Sequence, residues 1–426
     1  MSTFESLDIC VVGLGYIGLP TAAVLASRGH RVHGVEVDTR ARETINSGRA
    51  HIVEPDLDML VRSGIESSRL QAHAEPQPCD VFILCVPTPI GEDQSADLQF
   101  VREAAISICP HLRAGNLVVL ESTSPPGTTE MIARLVAEHT DLRRGELFFA
   151  HAPERVLPGN ILYEVVHNDR IIGGIDDEST AAARAFFETF VRGELIECHC
   201  RTAELAKLVE NASRDVQIAF ANELSMLCDE FDIDPLEVIC IANRHPRVNI
   251  LQPGCGVGGH CIAVDPYFIL DAVGDGKAPL IAAARRVNKS KPQWVVGKVR
   301  AAAERLRSPV IACFGATYKA DIDDLRESPA KEIIGQIRDL ELGQVLVVDP
   351  NIVELEDHKL ATIDEARRQA DIFVFLVPHR QFRKLAPTQL AEKIVIDTCG
   401  VTTSPIVPPD PSLARISSPQ TLRRVA

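Results

Sequence analysis

The sequence predicts an α/β protein: two doubly wound, mostly parallel sheets in separate domains, joined by a long central helix. Three observations predict it. Strand-like apolar runs alternate with helix-like segments over residues 9–175. One uninterrupted helical run follows from Thr202, and the alternation resumes in a second, smaller stretch from about residue 309. Alternation of this kind builds parallel sheets covered by helices. At 426 residues the chain is too long for one ordinary core. Boundaries are expected near residues 200 and 305, giving segments 1–200, 201–305 and 306–426.

The elements follow in order. "ICVVGLG" reads as a short buried strand, "YIGLPTAAVLASRG" has helical spacing and stops at Gly29, and "RVHGVEVD" is a second strand. "DVFILCVPTP", "LVVLEST", "ELFFAHAPER" and "DRIIGGI" continue the series. From Thr202 to about Phe231 the chain has no Gly or Pro and repeats apolar residues at helical spacing. A helix of that length, roughly 45 Å, links domains or forms an oligomer core. "PVIACFGATYK", "GQVLVVDP", "DIFVFLVP" and "KIVIDTCG" are the strands of the last domain, and the Pro- and Ser-rich tail after Val401 is expected to hug the surface or fray.

Composition excludes several classes. Hydrophobic residues make up 46% and charged residues 24%, a globular balance, and a net charge of −15 argues against a nucleic-acid binder. No apolar run reaches the roughly 18 to 20 residues that span a bilayer, and the N-terminus reads as part of the fold, not as a signal peptide. Several of the twelve cysteines sit in apolar strand-like runs, where a thiol simply packs. A cytoplasmic protein with reduced thiols is the reading. Cys198-His199-Cys200 has no second ligand pair at zinc-finger spacing, so no metal is expected.

"GLGYIG" sets Gly13, Gly15 and Gly18 in GxGxxG, after a strand and before a helix. The first allows a tight turn, the second lets backbone approach a pyrophosphate, and the third lets helix and strand close up, as in Rossmann-like domains. The second strand ends at Glu36, whose carboxylate can hold both ribose hydroxyls and repels a 2′-phosphate, so NAD is favoured over NADP. Cys261 ends the glycine loop "GVGGHC" and not a regular apolar element, which favours a nucleophile over a packing thiol or a zinc ligand. Asp265 lies four residues on, where one helical turn would bring its carboxylate to the thiol's side. Lys207 and Asn211 share a helix face and suit a developing alkoxide, although a solvated stripe looks the same; Glu154 of "HAPER" is the remaining candidate base, or equally a surface ion pair with Arg155.

Together, "VVGLGYIGLP", "VPTP", "ESTSPPGTT", "HAPERVLPGN", "ELAKLVENASRDVQIAFANEL", "GVGGHCIAVDP" and "TYKADIDDLRESPA" resemble the UDP-glucose/GDP-mannose dehydrogenase family over about residues 8–400. The resemblance implies an NAD-binding Rossmann-like domain, a central helical dimerisation and catalytic region, and a Rossmann-like UDP-sugar-binding domain. The implied reaction oxidises a sugar C6 alcohol to a carboxylate in two steps. By the same resemblance Cys261 is the nucleophile, Lys207 and Asn211 stabilise the oxyanion, Asp265 and Thr123 position a water or accept a proton, and Glu154 serves thioester hydrolysis. Tyr16, Ile17, Thr88, Thr123 and Arg326 join the glycines and Glu36 around the cofactor. Glu154, Arg155, Lys207, Asn211, Arg214, Arg244, His245, Arg247, Gly256, Gly258, Gly259, Tyr318 and Lys319 meet the substrate. Lys319 and Arg326 are expected to grip nucleotide or cofactor, and dimers of the family pair through the long helix.

"NRHPRVNILQPG" ahead of "GVGGHCIAVDPYF" is similar to the family branch that acts on UDP-N-acetyl-D-mannosamine, with UDP-N-acetylglucosamine and UDP-glucose as alternatives. Two positions depart from the family pattern: Glu36 where Asp is usual, and Cys255 where Pro is common. The second places another thiol near the nucleophile, either neutral or open to oxidation with it. His260 either lowers the Cys261 pKa or shapes the backbone. A two-electron hydroxyacid dehydrogenase would share the first domain and the long helix without requiring Cys261, and a silent regulator would not need Lys207, Asn211 and Asp265.

Overall fold

Eight strands form the first sheet: β1 (Asp8–Val12), β2 (Arg31–Val35), β3 (Leu70–His73), β4 (Val81–Leu84), β5 (Leu117–Leu120), β6 (Phe148–His151), β7 (Arg170–Gly174) and β8 (Leu195–His199). Their order is β3-β2-β1-β4-β5-β6-β7-β8, parallel throughout except between β6 and β7. In the computed structural model, which describes residues 6–402 apart from 92, 144, 157–158, 260, 275, 356–359 and 386, this sheet belongs to a unit of Met1–Arg214 and Val264–Ala282. Helices cover both faces, so the central strands are continuous apolar runs. Ile9, Val11, Ile83 and Val119 enter one core, and Cys10, Val12, Leu84 and Val118 the other, the two-residue alternation of a strand. The order reverses between β1 and β4, and the carboxyl ends of these strands frame the crevice where such folds bind nucleotides.

The second unit, Asp215–Ala263 with Ala283–Ala426, carries β9 (Val310–Phe314), β10 (Gln344–Val348), β11 (Ile372–Phe375) and β12 (Ile394–Asp397). They lie parallel in the order β10-β9-β11-β12. Helices Pro235–Ala242 and Pro279–Ala303 precede them.

The long helix runs Cys200–Glu230, 31 residues. It starts ahead of the apolar pattern, and His199 Nδ1 accepts the Arg201 N–H at 3.3 Å across that start. Two strands, β3 and β8, go beyond the sequence reading. Both are edge strands whose mixed polar residues carry little apolar signal. The Pro- and Ser-rich tail from residue 403, and His260, lie outside the described residues.

Candidate active site

Gly13 leaves β1 with φ +92°, and a Cβ there would stand 2.7 Å from the Cys85 carbonyl oxygen. A Cβ on Gly18 would lie 1.8 Å from the Gly13 oxygen, so the turn and the helix Gly18–Ser27 close only around glycine. Gly15 differs: nothing lies within 4 Å of where its Cβ would be. The opening borders the start of that helix, whose N-cap Ile17 gives no side-chain cap, and Tyr16 beside it is exposed. Backbone N–H groups and the positive end of the helix dipole are thus available to a phosphate. After β2, the Glu36 carboxylate accepts N–H bonds from Leu14 (3.3 Å) and Asp38 (2.9 Å), which fixes it at the rim of the turn. Thr88 and Thr123 follow the neighbouring strands β4 and β5, with the Thr88 hydroxyl donating to the Thr123 carbonyl at 2.8 Å. These features fit NAD.

Asp265 opens the helix Asp265–Val273, whose Phe268 and Ile269 pack with Leu208 and Ala212 of the long helix. The packing brings Asn211 to Asp265, and its Nδ2 donates to Oδ2 at 2.6 Å. Burial raises Asp265 to about 6, while the Asn211 hydrogen bond and the Lys207 ammonium pull the other way. Lys207, Asn211 and Asp265 therefore form one polar group in a largely apolar setting. The expected helical turn between Cys261 and Asp265 is absent: residues 261–264 are bend and turn, and the helix begins at Asp265.

Glu154 is buried, and Arg170 holds it together with Glu121, one guanidinium between two carboxylates. The Arg155 N–H also donates to Glu154, at 2.8 Å, and the Arg155 side chain reaches Glu210 at 3.0 Å. Burial pushes Glu121 up against the pull of Arg170, and the Cys85 thiol donates to it at 2.9 Å. His151 is fully buried near these charges. Burial, then Arg170 and Lys207, take it down to about 3, so it stays neutral at physiological pH and is not a proton carrier there. Arg214 is exposed on the long helix.

In the second unit, Gly256, Gly258 and Gly259 make room for protein. Their Cβ atoms would meet Pro329 at 2.8 Å, the Glu327 carbonyl oxygen at 2.3 Å and the Tyr318 ring at 2.9 Å. The loop is thereby pressed onto the segment 318–329, and the Gly259 N–H donates to the Arg326 carbonyl at 3.3 Å. Cys261, which follows, is exposed. Burial, Asp324 and then Cys261 push the Tyr318 hydroxyl up, which sets thiol and phenol within electrostatic reach. Cys255 is buried in the core with Val295 and Ile311, and burial takes its thiol to about 12; it is a packing residue and not poised for oxidation. Lys319 is exposed, and Arg326 chelates Asp324, its Nη2 2.6 Å from Oδ2. Arg244, His245 and Arg247 are exposed on a loop that Asn243 clamps by two hydrogen bonds to Ile250, at 2.7 and 2.9 Å.

Three family models of the UDP-glucose/GDP-mannose dehydrogenases match in chain order: the NAD binding domain at residues 7–191, the central domain at 201–290 and the UDP binding domain at 312–404. The chain belongs to the UDP-glucose/GDP-mannose dehydrogenase family. It is 54% identical over 405 residues to the NDP-N-acetyl-D-galactosaminuronic acid dehydrogenase of Ralstonia nicotianae, covering 92% of this chain and 96% of that protein. It is 49% identical over 420 residues to the UDP-N-acetyl-D-mannosamine dehydrogenase of Yersinia pestis, covering 94% and 99%. A solved structure of the UDP-N-acetyl-mannosamine dehydrogenase of S. aureus superposes with a TM-score of 0.84 at 41% identity, covering 93% and 96%. The protein is an NAD-dependent nucleotide-sugar dehydrogenase of this family.

Sequence reasoning missed Arg170, at the start of β7, which stands between Glu154 and Glu121, and Glu121, which follows β5. An arginine in an apolar strand, "DRIIGGI", was the available signal. It also missed that Glu130 joins His199 and Cys200, with ligand atoms within 4.8 Å of one another. Arg201 already holds that carboxylate at 2.6 Å, and the group sits at the positive end of the long helix, a poor setting for a cation. Among the described residues no helix is long and apolar enough to cross a membrane.

Proposed function

We propose that this dehydrogenase oxidises the C6 alcohol of a UDP-N-acetylhexosamine, UDP-N-acetyl-D-mannosamine in preference to others, to the uronic acid with four electrons removed. The observation that carries the reading is Cys261. It alone among the twelve cysteines is exposed, at the end of a glycine loop within the segment that matches the family's central domain. The glycine turn, Glu36, Thr88 and Thr123 would hold NAD, which when bound would supply a hydride acceptor for each of the two oxidations.

The protein's own groups do the rest. The alcohol first becomes an aldehyde. The Cys261 thiolate adds to C6, and the alkoxide of the resulting thiohemiacetal is stabilised by the Lys207 ammonium and the Asn211 amide. Loss of the second hydride leaves a thioester. Water adds to it, the C–S bond breaks, and the thiolate returns as the acid departs. Asp265, ionised at neutral pH with a value of about 6, takes the proton of the alcohol or of water, with Thr123 beside the cofactor. Glu154, whose carboxylate Arg170 and the Arg155 N–H hold in one direction, serves the hydrolysis. Arg214, Arg244, Arg247 and Lys319 are the cations offered to the diphosphate and sugar, with His245 among them as a polar contact, and Tyr318 and the loop Gly256–Gly259 border Cys261. Arg326 is assigned to the cofactor.

A homodimer through the long helix goes with this reading. Its support is the exposed apolar set Leu205, Val209, Phe220 and Leu227, which share one face within about 60° at 100° per residue. A cytoplasmic location goes with it too, since NAD and nucleotide sugars are soluble metabolites.

The 54% identity to NDP-N-acetyl-D-galactosaminuronic acid dehydrogenase favours a second sugar, the N-acetylgalactosamine epimer. A panel of UDP-N-acetylmannosamine, UDP-N-acetylgalactosamine, UDP-N-acetylglucosamine and UDP-glucose separates them. The highest kcat/KM is expected for the first, with two NADH per sugar. A preference for any other would overturn the sugar assignment, and one NADH per sugar would indicate a two-electron enzyme.

A further inference from the structure

The two units repeat one device at the end of their second strands. In the first, the Gly13 N–H bonds the Val35 carbonyl at 2.9 Å and the following N–H, of Leu14, bonds the Glu36 carboxylate. In the second, the Gly315 N–H bonds the Val348 carbonyl at 2.8 Å and the following N–H, of Ala316, bonds the Asp349 carboxylate at 2.8 Å. Asp349 thus occupies the position from which an acid would bind ribose. Unlike Glu36, it is turned to an internal partner: it is buried, and His379 Nε2 lies 3.1 Å from its Oδ2, with the histidine fully buried.

The geometry assigns the tautomer of His379. Nδ1 receives two N–H donors, the Asp321 backbone at 3.0 Å and the Asn351 amide at 2.7 Å, so it carries no proton. Nε2 therefore holds the hydrogen and donates to Asp349. Burial works against the Asp349 carboxylate, but the His379 hydrogen bond and the N–H groups of Ala316 and Asn351 outweigh it and hold it below its usual range. Phe382 closes the ring's other side, edge-on at 5.3 Å. Within residues 316–321, the Thr317 hydroxyl donates to the Lys319 carbonyl at 2.8 Å, and Asp321 accepts the Arg380 N–H at 3.2 Å. Asp349 thus anchors the start of this loop and His379 its end. Between them stand Tyr318, whose ring is against Gly259, and Lys319.

We propose that Asp349 and His379 are positioning residues for nucleotide binding in the second unit: they set the 316–321 loop, which presents Lys319 to the diphosphate and Tyr318 to the cysteine loop. The proposal rests on the reading of this unit as the UDP-sugar site. In that unit the strand-end acid serves as an internal anchor, and the loop it anchors reads the nucleotide.

Calorimetry with UDP and, separately, NAD tests it on the full-length protein. His379→Ala is expected to weaken UDP at least tenfold and to leave NAD within twofold. His379→Asn, whose Oδ1 can stand where Nδ1 stands and accept the Asp321 N–H, is expected to recover most of the UDP affinity. In turnover, His379→Ala raises KM for the sugar nucleotide more than it lowers kcat. Unchanged UDP affinity in His379→Ala, equal losses for UDP and NAD, or no recovery in His379→Asn would each overturn the assignment. Wild-type protein that fails to bind UDP would instead overturn the reading of the unit beneath it.

Discussion

Asp265 is the residue on which chemistry and stability pull apart. The residue is 4% exposed, and its value of about 6 lies above the usual 3.8. The folded value exceeds the unfolded one, so this group's contribution to stability is complete below pH 3.8 and is lost as pH rises through 6. At neutral pH the protein holds an ionised group that burial disfavours. Asp265→Asn is therefore expected to raise stability at pH 7 to 8 by on the order of 2 kcal/mol, with the gain gone by pH 4, while activity falls at least a hundredfold. Chemical denaturation at the two pH values, beside an NADH assay, checks both halves. A variant no more stable than wild type at pH 8 would contradict the cost of the ionised form. Activity itself should fall below about pH 6 as Asp265 protonates. Asn211→Leu removes a hydrogen bond that favours the ionised form, so its acid limb should move to higher pH. A limb that stays in place would detach Asp265 from proton transfer.

At the scale of elements, the glycine turn separates structural from ligand-binding roles within six residues. Gly18→Ala forces a Cβ to 1.8 Å from a backbone oxygen and should destabilise by about 3 kcal/mol or more. Gly15→Ala meets nothing within 4 Å, so its melting temperature should stay near wild type while KM for NAD rises at least tenfold. Thermal melts and NAD titrations of the pair decide it; a Gly15→Ala protein that binds NAD normally would contradict the cradle. The turn was legible because its chemistry is local: strand, three glycines and an acid lie within residues 8–36. The long helix was legible for the same reason, through unbroken periodicity. Edge strands β3 and β8 were not, since half-exposed strands mix polar and apolar residues as loops do. The Glu121–Arg170–Glu154 cluster and the Asp349–His379 pair join residues 16 to 49 apart in the chain, and such pairings arise from sheet order. The glycines of the cysteine loop were expected to meet the substrate, and the structure sets the segment 318–329 against them, a neighbour that no local pattern names.

For the whole molecule, the family and the cofactor follow from three domain matches spanning residues 7–404. If the long helix pairs two copies, Phe220→Asp should convert a dimer to a monomer, since a buried unpaired charge costs several kcal/mol. Sedimentation of wild type and variant reads this directly, and an unchanged sedimentation coefficient would remove that face from the interface. The proposed route has Cys261 make and break a carbon–sulfur bond on each turnover. Rapid quenching of the Glu154→Gln enzyme, slowed in hydrolysis, with UDP-N-acetylmannosamine and NAD, followed by peptide mass mapping, tests it most directly. The expected result is the mass of the sugar nucleotide acyl group on the peptide that contains Cys261. An unmodified Cys261 peptide alongside accumulating product would contradict the covalent route.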